Sequence, residues 1–153
     1  TASLPAISSA GGTETGLELA GGRTLHVYDT TGDGGEDRLT VFWHHGTPNL
    51  DPRPGRDLAS AATDGAGIGD ALGIGRFAVM GHSGGSNHAL ASGAPSRRSA
   101  FDPVEVRVPV LVVHGGQDRV VPSSHGRWLA GRIPAELWRG PEDGHVPVLG
   151  SAE

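Results

Sequence analysis

The most constraining feature of the sequence is a short apolar run that leads directly into a serine flanked by glycines. Residues Phe77 to Met80 are typical of a buried strand. They are followed by Gly81-His82-Ser83-Gly84-Gly85, a match to the pattern G-x-S-x-G, and Ser86 to Ala94 then contains good helix formers. Ser83 is therefore predicted to lie where a strand turns sharply into a helix, with glycines that prevent Cβ clashes at the crossing.

The pattern alone is weak, because a glycine-rich chain can match it by chance. Glycine accounts for 26 of the 153 residues, well above the average of about 7%. The alternative interpretation is an ordinary Gly-Ser turn between a strand and a helix. The strand before Ser83 and the helix after it favour the more specific interpretation, in which the helix N-terminus directs amide N–H groups at an anion that forms beside the serine.

Composition limits the class of protein. A chain of 153 residues suits one domain, and we expect residues 1–153 to form it, with residues 1–15 as a flexible leader. The formal net charge of -5 argues against a nucleic-acid partner. No stretch has transmembrane length and no signal-peptide pattern is present, so we expect no membrane partner and a cytoplasmic location. The absence of cysteine excludes disulfides, thiol catalysis and thiolate metal sites.

Strands and helices alternate along the chain, which predicts an α/β fold with a largely parallel sheet. Besides the strand and helix around Ser83, the pattern predicts a hairpin, two apolar strands, two helices and a short last strand; these are, in chain order, Leu17–Tyr28, Leu39–Trp43, Asp57–Leu72, Val108–Val113, Ser123–Ile133 and Glu136–Arg139. The continuous apolarity of the strands at 39–43 and 108–113 predicts burial on both faces of the sheet.

The helix predicted over Asp57–Leu72 has clear end signals and an unusual interior. Asp57 can cap its N-terminus and Gly73 can end it. Its interior contains Gly65, Gly67 and Gly69, which cost about 1 kcal/mol each relative to alanine. The helix therefore needs packing against other elements to be stable. Tryptophans are expected in the core rather than in a ligand site; they are Trp43, Trp128 and Trp138.

Four segments, in this order, resemble the α/β-hydrolase fold family, of the small esterase and proline-iminopeptidase-like type. His45-Gly46-Thr47-Pro48 is similar to the family's oxyanion loop, and Gly81–Gly85 is similar to its nucleophile elbow. Val112–Asp118 resembles the strand that delivers the catalytic acid, and Asp143-Gly144-His145 resembles the loop that carries the catalytic histidine. The order Ser, Asp, His is the order of this fold. The resemblance implies a three-layer sandwich with a mostly parallel sheet.

The chain departs from the family in two places. One strand is missing before the helix that precedes the elbow, where only residues 50–56 remain, and a second strand and the lid are missing from Pro95–Val108. Both missing strands would lie between strands that are present, so these neighbours would be roughly 10 Å apart and would lack ladder partners. Either a reduced hydrolase or a chain that has lost internal segments accounts for this. The short polar joins favour the second explanation.

The resemblance assigns a catalytic role to three residues, and the chemistry supports each role. Ser83 is the nucleophile, and it needs a base to remove its proton as it attacks. His145 is the predicted base, because imidazole titrates near neutral pH. Asp118 is predicted to accept a hydrogen bond from His145 and to stabilise its cation. The backbone N–H groups of Gly84 and Thr47 are the predicted oxyanion hole.

Other interpretations of these residues remain open. Asp118 can belong to an ordinary turn with Arg119 as its salt-bridge partner, and Asp143 is the competing acid. His145 is one of eight histidines, so its assignment is positional. His44 and His45 are expected to shape the oxyanion loop, and no H-E-x-x-H spacing indicates a metal site. No dinucleotide or Walker loop is present, so neither a metal nor another cofactor is expected.

The predicted function is a serine hydrolase that cleaves a small ester or amide through an acyl-enzyme intermediate. A small-molecule substrate is the only partner that the sequence indicates, and oligomeric state is left open. If the lid is absent, the site should be open and shallow, with low discrimination between substrates. The alternatives are a non-catalytic ligand-binding protein of the same fold and an inactive remnant in which the triad is not assembled.

Overall fold

The computed structural model of the chain describes residues 13–19, 22–29, 39–46, 57–94, 101–146 and 148. Each predicted helix and strand is present, with ends shifted by up to four residues. In chain order the elements are β1 (Thr13–Leu19), β2 (Arg23–Asp29), β3 (Thr40–His44), α1 (Leu58–Ala71), β4 (Phe77–Gly81), α2 (Gly85–Ser92), a 3₁₀ turn (Pro103–Glu105), β5 (Val110–Gly115), α3 (Ser123–Ala130) and β6 (Ala135–Gly140). The helices of this described part are all too short or too polar to cross a bilayer.

The first two strands form the predicted hairpin. β1 and β2 are antiparallel, with Leu19 opposite Arg23, and the turn is closed by a hydrogen bond of 3.1 Å from Gly22 N–H to the Leu19 carbonyl. Gly22 has a φ of 72°, which favours glycine. The expected flexible leader at 1–15 is wrong for its last three residues, because pairing with β2 places residues 13–15 in β1; residues 1–12 lie outside the described part.

The described strands form three separate pairs. β1–β2 is antiparallel, whereas β3–β4 and β5–β6 are parallel. The breaks fall between β2 and β3 and between β4 and β5, which are the two places where the family's missing strands would lie. The prediction that these neighbours would lack ladder partners is therefore confirmed for the described residues. The predicted separation of roughly 10 Å stays a prediction.

Helix α1 packs mainly against α2, and two of its glycines also lie near aromatic rings of the β3–β4 pair. A Cβ atom added at Gly69 would lie 3.3 Å from Phe77, and one at Gly65 would lie 3.8 Å from Phe42. The rings of Phe42 and Phe77 are themselves 4.4 Å apart. An added Cβ atom would be tight at Gly69 and would make an ordinary contact at Gly65. Packing against α2, together with these ring contacts, supplies the support that a glycine-containing helix requires.

A small core joins α2, the 3₁₀ turn, α3 and the β5–β6 pair. Ala94, Val106 and Ile133 are buried together, and Leu129 and Val110 pack against them. Ile133 is therefore a core residue, although α3 ends before it. This cluster links the end of α2 to β5 across one of the breaks between strand pairs.

Two expectations about burial are wrong. The strands are not buried on both faces, because Trp43 in β3 is 49% exposed and Leu111 in β5 is 58% exposed. The tryptophans are not core residues either: Trp128, which was predicted to face inward, is 50% exposed, and its ring packs under Arg132 at 4.3 Å. Trp138 is also exposed.

The ends of α1 are those that the sequence predicts. Asp57 accepts a hydrogen bond of 2.8 Å from Ser60 N–H, and Ser60 Oγ accepts one of 3.1 Å from Asp57 N–H. This reciprocal arrangement is a capping box. Gly73 follows the C-cap with a φ of 68°, as expected for a glycine that ends a helix.

The cap gives a direct test of how α1 is stabilised. Asp57→Ala should lower the free energy of unfolding by about 1 kcal/mol, because the Ser60 N–H loses its acceptor. Asp57→Asn is the matched control, since it keeps an acceptor oxygen at the same place and should change stability by only a few tenths of a kcal/mol. Urea unfolding followed by circular dichroism measures both values. Equal stability of the alanine and asparagine variants would contradict the capping role.

Candidate active site

The turn at Ser83 has the strained geometry that the sequence predicts. Ser83 has a φ of 54° and is the one non-glycine residue with positive φ among those described. It lies between the end of β4 at Gly81 and the start of α2 at Gly85. A serine in the left-handed region costs free energy and persists only where its surroundings impose it. The strand-turn-helix geometry thus presents Ser83 at the carboxyl end of β4.

The two flanking glycines are required by close backbone contacts. A Cβ atom at Gly81 would collide with the Gly85 carbonyl oxygen, and one at Gly85 would collide with the His44 carbonyl oxygen. The same His44 carbonyl accepts a hydrogen bond of 3.2 Å from His82 N–H. The end of β3 therefore holds the turn on one side while the start of α2 closes it on the other.

The predicted oxyanion loop begins beside the serine. A Cβ atom at Gly46 would lie 3.1 Å from Ser83 Cβ and 3.2 Å from the His82 carbonyl oxygen. Gly84 is the N-cap of α2 with helical backbone angles, so its N–H belongs to the group of amides at a helix start that lack an intrahelical partner. Thr47, the other predicted donor, lies outside the described residues.

Asp118 and His145, which are 27 residues apart, are in direct contact. His145 Nδ1 lies 2.7 Å from Asp118 Oδ2. The side chain of Asp118 is 5% exposed and that of His145 is 18% exposed. Since an ionised carboxylate can only accept, Nδ1 carries the proton and donates it, and Nε2 of a neutral ring is left as the acceptor. This is the tautomer that a general base needs.

The environment of Asp118 keeps its carboxyl group ionised. Burial alone would raise the pKa of Asp118, but hydrogen bonds from His145, Val121 N–H and Val120 N–H outweigh burial, so the pKa lies below its ordinary value. The two backbone bonds to Oδ1 are 2.8 Å from Val120 and 2.9 Å from Val121. The two carboxylate oxygens of Asp118 therefore accept hydrogen bonds from three donors. Among the described residues, Arg119 is not a partner of this carboxylate.

His114, near the end of β5, supports this carboxylate. Only its position four residues before Asp118 distinguishes it in the sequence. Its Nε2–H donates to the Val121 carbonyl at 3.0 Å and lies 3.5 Å from Asp118 Oδ2. The His114 ring occupies the space next to Gly126 of α3. A Cβ atom added at Gly126 would lie 2.7 Å from His114 Nδ1. His114 thus fixes the loop that carries Asp118.

The competing acid Asp143 is placed differently. Its backbone carbonyl accepts a hydrogen bond of 2.8 Å from Gln117 N–H, and its carboxylate packs against Gly140. Among the described residues, its side chain makes no hydrogen bond to His145. The geometry therefore favours Asp118 as the partner of His145.

His82, the residue before Ser83, makes the contact between the serine turn and His145. The ring of His82 lies 4.9 Å from the ring of His145, and His82 Nε2 lies 3.0 Å from the His145 carbonyl oxygen. Within the described ranges, no hydrogen bond joins the Ser83 hydroxyl to the His145 ring. Catalytic hydrogen bonds are often long without substrate. The structure therefore brings the predicted acid and base into contact, and it brings the residue next to the predicted nucleophile into contact with the base.

The part of the chain that the structure describes contains no group of three or more metal-ligating side chains.

An apolar cleft of about 730 Å³ lies apart from the predicted catalytic residues. Its lining residues come from α1, α2, α3 and the region of the 3₁₀ turn, among them Leu90, Phe101 and Trp128, and none of the three predicted catalytic residues lines it. The candidate catalytic groups lie outside this cleft, at the loop end of the strands.

Comparisons with known proteins are consistent with this arrangement. No family model matches the chain. A pimeloyl-[acyl-carrier protein] methyl ester esterase from Aromatoleum aromaticum is 42% identical over 57 residues, which are 37% of this chain and 22% of the esterase. The chain thus matches less than a quarter of the length of this relative. The crystal structure of a predicted CIB-like hydrolase from Thermoplasma acidophilum is similar with a TM-score of 0.63 and 16% identity, over 92% of this chain and 91% of that one.

One architecture accounts for the strained serine turn, the two parallel strand pairs and the structural similarity. The similarity extends over nearly the whole chain, and the breaks between strand pairs fall where the family's intervening strands would lie. The chain therefore has the α/β-hydrolase fold, in a reduced form whose described strands are divided into three pairs.

Proposed function

We propose that the chain is a serine hydrolase that cleaves a small carboxylic ester through an acyl-enzyme intermediate. The observation that carries the proposal is the 2.7 Å contact between His145 Nδ1 and Asp118 Oδ2, next to a serine held at a φ of 54°. A buried acid, an imidazole in the base tautomer and a half-buried serine on a strained turn are the parts that this chemistry needs. The named activity of the Aromatoleum relative, a methyl ester esterase, favours an ester over an amide.

In the proposed first step, Ser83 Oγ attacks the ester carbonyl carbon while His145 Nε2 takes the hydroxyl proton. The carbonyl electrons move onto oxygen and return as the bond to the leaving alkoxide breaks, and His145 gives its proton to that alkoxide. A water then attacks the acyl group by the same route, so that the carboxylic acid leaves and the Ser83 hydroxyl is restored. No oxidant, reductant or cofactor enters this sequence.

Asp118 supports both steps by holding the imidazole and stabilising its cation. Its lowered pKa means that the carboxylate is charged at neutral pH. The proposed oxyanion donors are the N–H of Gly84, which is the N-cap of α2, and the N–H of Thr47. One oxyanion donor is typically worth about 3 kcal/mol in the transition state.

The first test is covalent labelling by a fluorophosphonate probe. The wild-type chain should be labelled and Ser83→Ala should not be, because the attacking oxygen is removed. Ser92→Ala, at the far end of α2, is the control, since the Ser92 hydroxyl donates to the His88 carbonyl within that helix, and it should be labelled at the wild-type rate. Mass spectrometry of the labelled peptide identifies the site.

The same experiment separates the alternatives. A folded chain that is not labelled would contradict the enzyme and support an inactive remnant. Labelling of Ser83 without release of nitrophenol from p-nitrophenyl acetate beyond one equivalent would indicate a site that acylates but does not turn over. Sustained turnover with an initial burst supports the acyl-enzyme mechanism.

The second test distinguishes the two candidate acids. Asp118→Asn should lower kcat by about 10⁴-fold, the loss seen in the Ser-His-Asp template when the acceptor of the histidine is neutralised. Asp143→Asn is the control at the competing position and should leave kcat within about threefold, because its backbone bond to Gln117 is preserved. The reverse order of the two losses would overturn the assignment.

The lowered pKa of Asp118 also predicts how stability depends on pH. In the unfolded chain an aspartate titrates near pH ~3.9, and the folded value is lower. The stabilisation that ionised Asp118 provides is therefore fully present above the pKa of the unfolded chain, and it is lost as the pH falls through the pKa of Asp118 in the folded chain. Wild type should lose more stability than Asp118→Asn between about pH 5 and pH 2, measured by urea midpoints. If the stabilities of wild type and of Asp118→Asn changed with pH in the same way, the lowered pKa of Asp118 would be contradicted.

A further inference from the structure

His82 connects the serine turn to the loop of the proposed base. It lies directly before Ser83, and its Nε2 is 3.0 Å from the His145 carbonyl oxygen. Since a carbonyl oxygen can only accept, Nε2 carries a proton and donates it. The two rings are 4.9 Å apart at an angle of 46°. One side chain therefore makes both a hydrogen bond and a ring contact with the residue that must receive the serine proton.

The backbone of His82 is held as firmly as its side chain. Its N–H donates to the His44 carbonyl at 3.2 Å, and its carbonyl accepts from Gly85 N–H at 2.9 Å. Gly46 packs against the same carbonyl. His82 is thus anchored to the end of β3 and to the start of α2, and movement of its ring relative to Ser83 is restricted.

This contact matters because the two halves of the site belong to different strand pairs. Ser83 follows β4, whereas Asp118 follows β5 and His145 follows β6. In the described part of the chain, no strand hydrogen bonds join the β3–β4 pair to the β5–β6 pair. The distance between nucleophile and base is therefore not set by a continuous sheet, and the hydrogen bond from His82 crosses between the two halves at the site itself.

We infer that His82 is a positioning residue, which sets the location of His145 relative to Ser83 by donating a hydrogen bond from Nε2 to the His145 backbone carbonyl. The inference rests on the proposed function. His82 takes no proton from the serine and gives none to the leaving group. It acts on the reaction through the placement of the His145 ring, and misplacement of a catalytic group by about 1 Å can cost about 10²-fold in rate.

Two nearly isosteric substitutions test the hydrogen bond itself. His82→Gln keeps an N–H donor at about the reach of Nε2, and His82→Met has similar size without a donor. His82→Met should lower the kcat for p-nitrophenyl acetate by about 10-fold to 100-fold, with KM changed by less than about twofold, whereas His82→Gln should stay within about threefold of wild type. His82→Asn, whose amide is too short to reach the carbonyl, should be as slow as the methionine variant.

Rates are expressed per active site titrated with the fluorophosphonate, so a variant that is partly unfolded still reports the rate of its folded molecules. Equal rates for His82→Met and wild type would overturn the inference, as would equally slow glutamine and methionine variants. A larger effect on KM than on kcat would also overturn it. Failure of the proposed function is a different result, because the wild-type chain would then not be labelled at Ser83 at all.

Discussion

The close crossing of β3, β4 and α2 is the constraint on which the rest of the site depends. The backbone at Gly81 and Gly85 is packed so tightly against neighbouring carbonyl groups that no side chain fits there. This contact forces the positive φ of Ser83 and places its hydroxyl at the carboxyl end of β4. Because the constraint is made by main-chain atoms, the serine is held without support from a continuous sheet.

The two parallel strand pairs carry different parts of the proposed site. The proposed nucleophile Ser83 follows the β3–β4 pair, and the proposed acid and base follow the strands of the β5–β6 pair. His114 donates a hydrogen bond within the loop that carries Asp118, and His82 donates one from the first half to the second. In the proposed mechanism, these histidine contacts support the alignment of the catalytic groups.

The sequence predicts the elements and the contact between Asp118 and His145 well, because both have local signatures. The strand before Ser83, the cap at Asp57 and the contact partners Asp118 and His145 follow from apolar runs, turn residues and family motifs. Exposure was predicted poorly, as Trp43 and Trp128 illustrate, since it depends on which elements cover a face and not on the residue itself. The contact of His82 with His145 joins positions 63 apart in sequence, and no local pattern encodes it.

The exposed strand faces and the breaks between pairs have a consequence for the behaviour of the chain in solution. Within the described ranges, one edge of β4 and one edge of β5 have no neighbouring strand, and Val41, Trp43 and Leu111 leave apolar area open to water. Open ladder edges next to apolar surface are templates for pairing with other chains. Self-association should therefore grow with concentration, and dilute, low-temperature handling should preserve monomers.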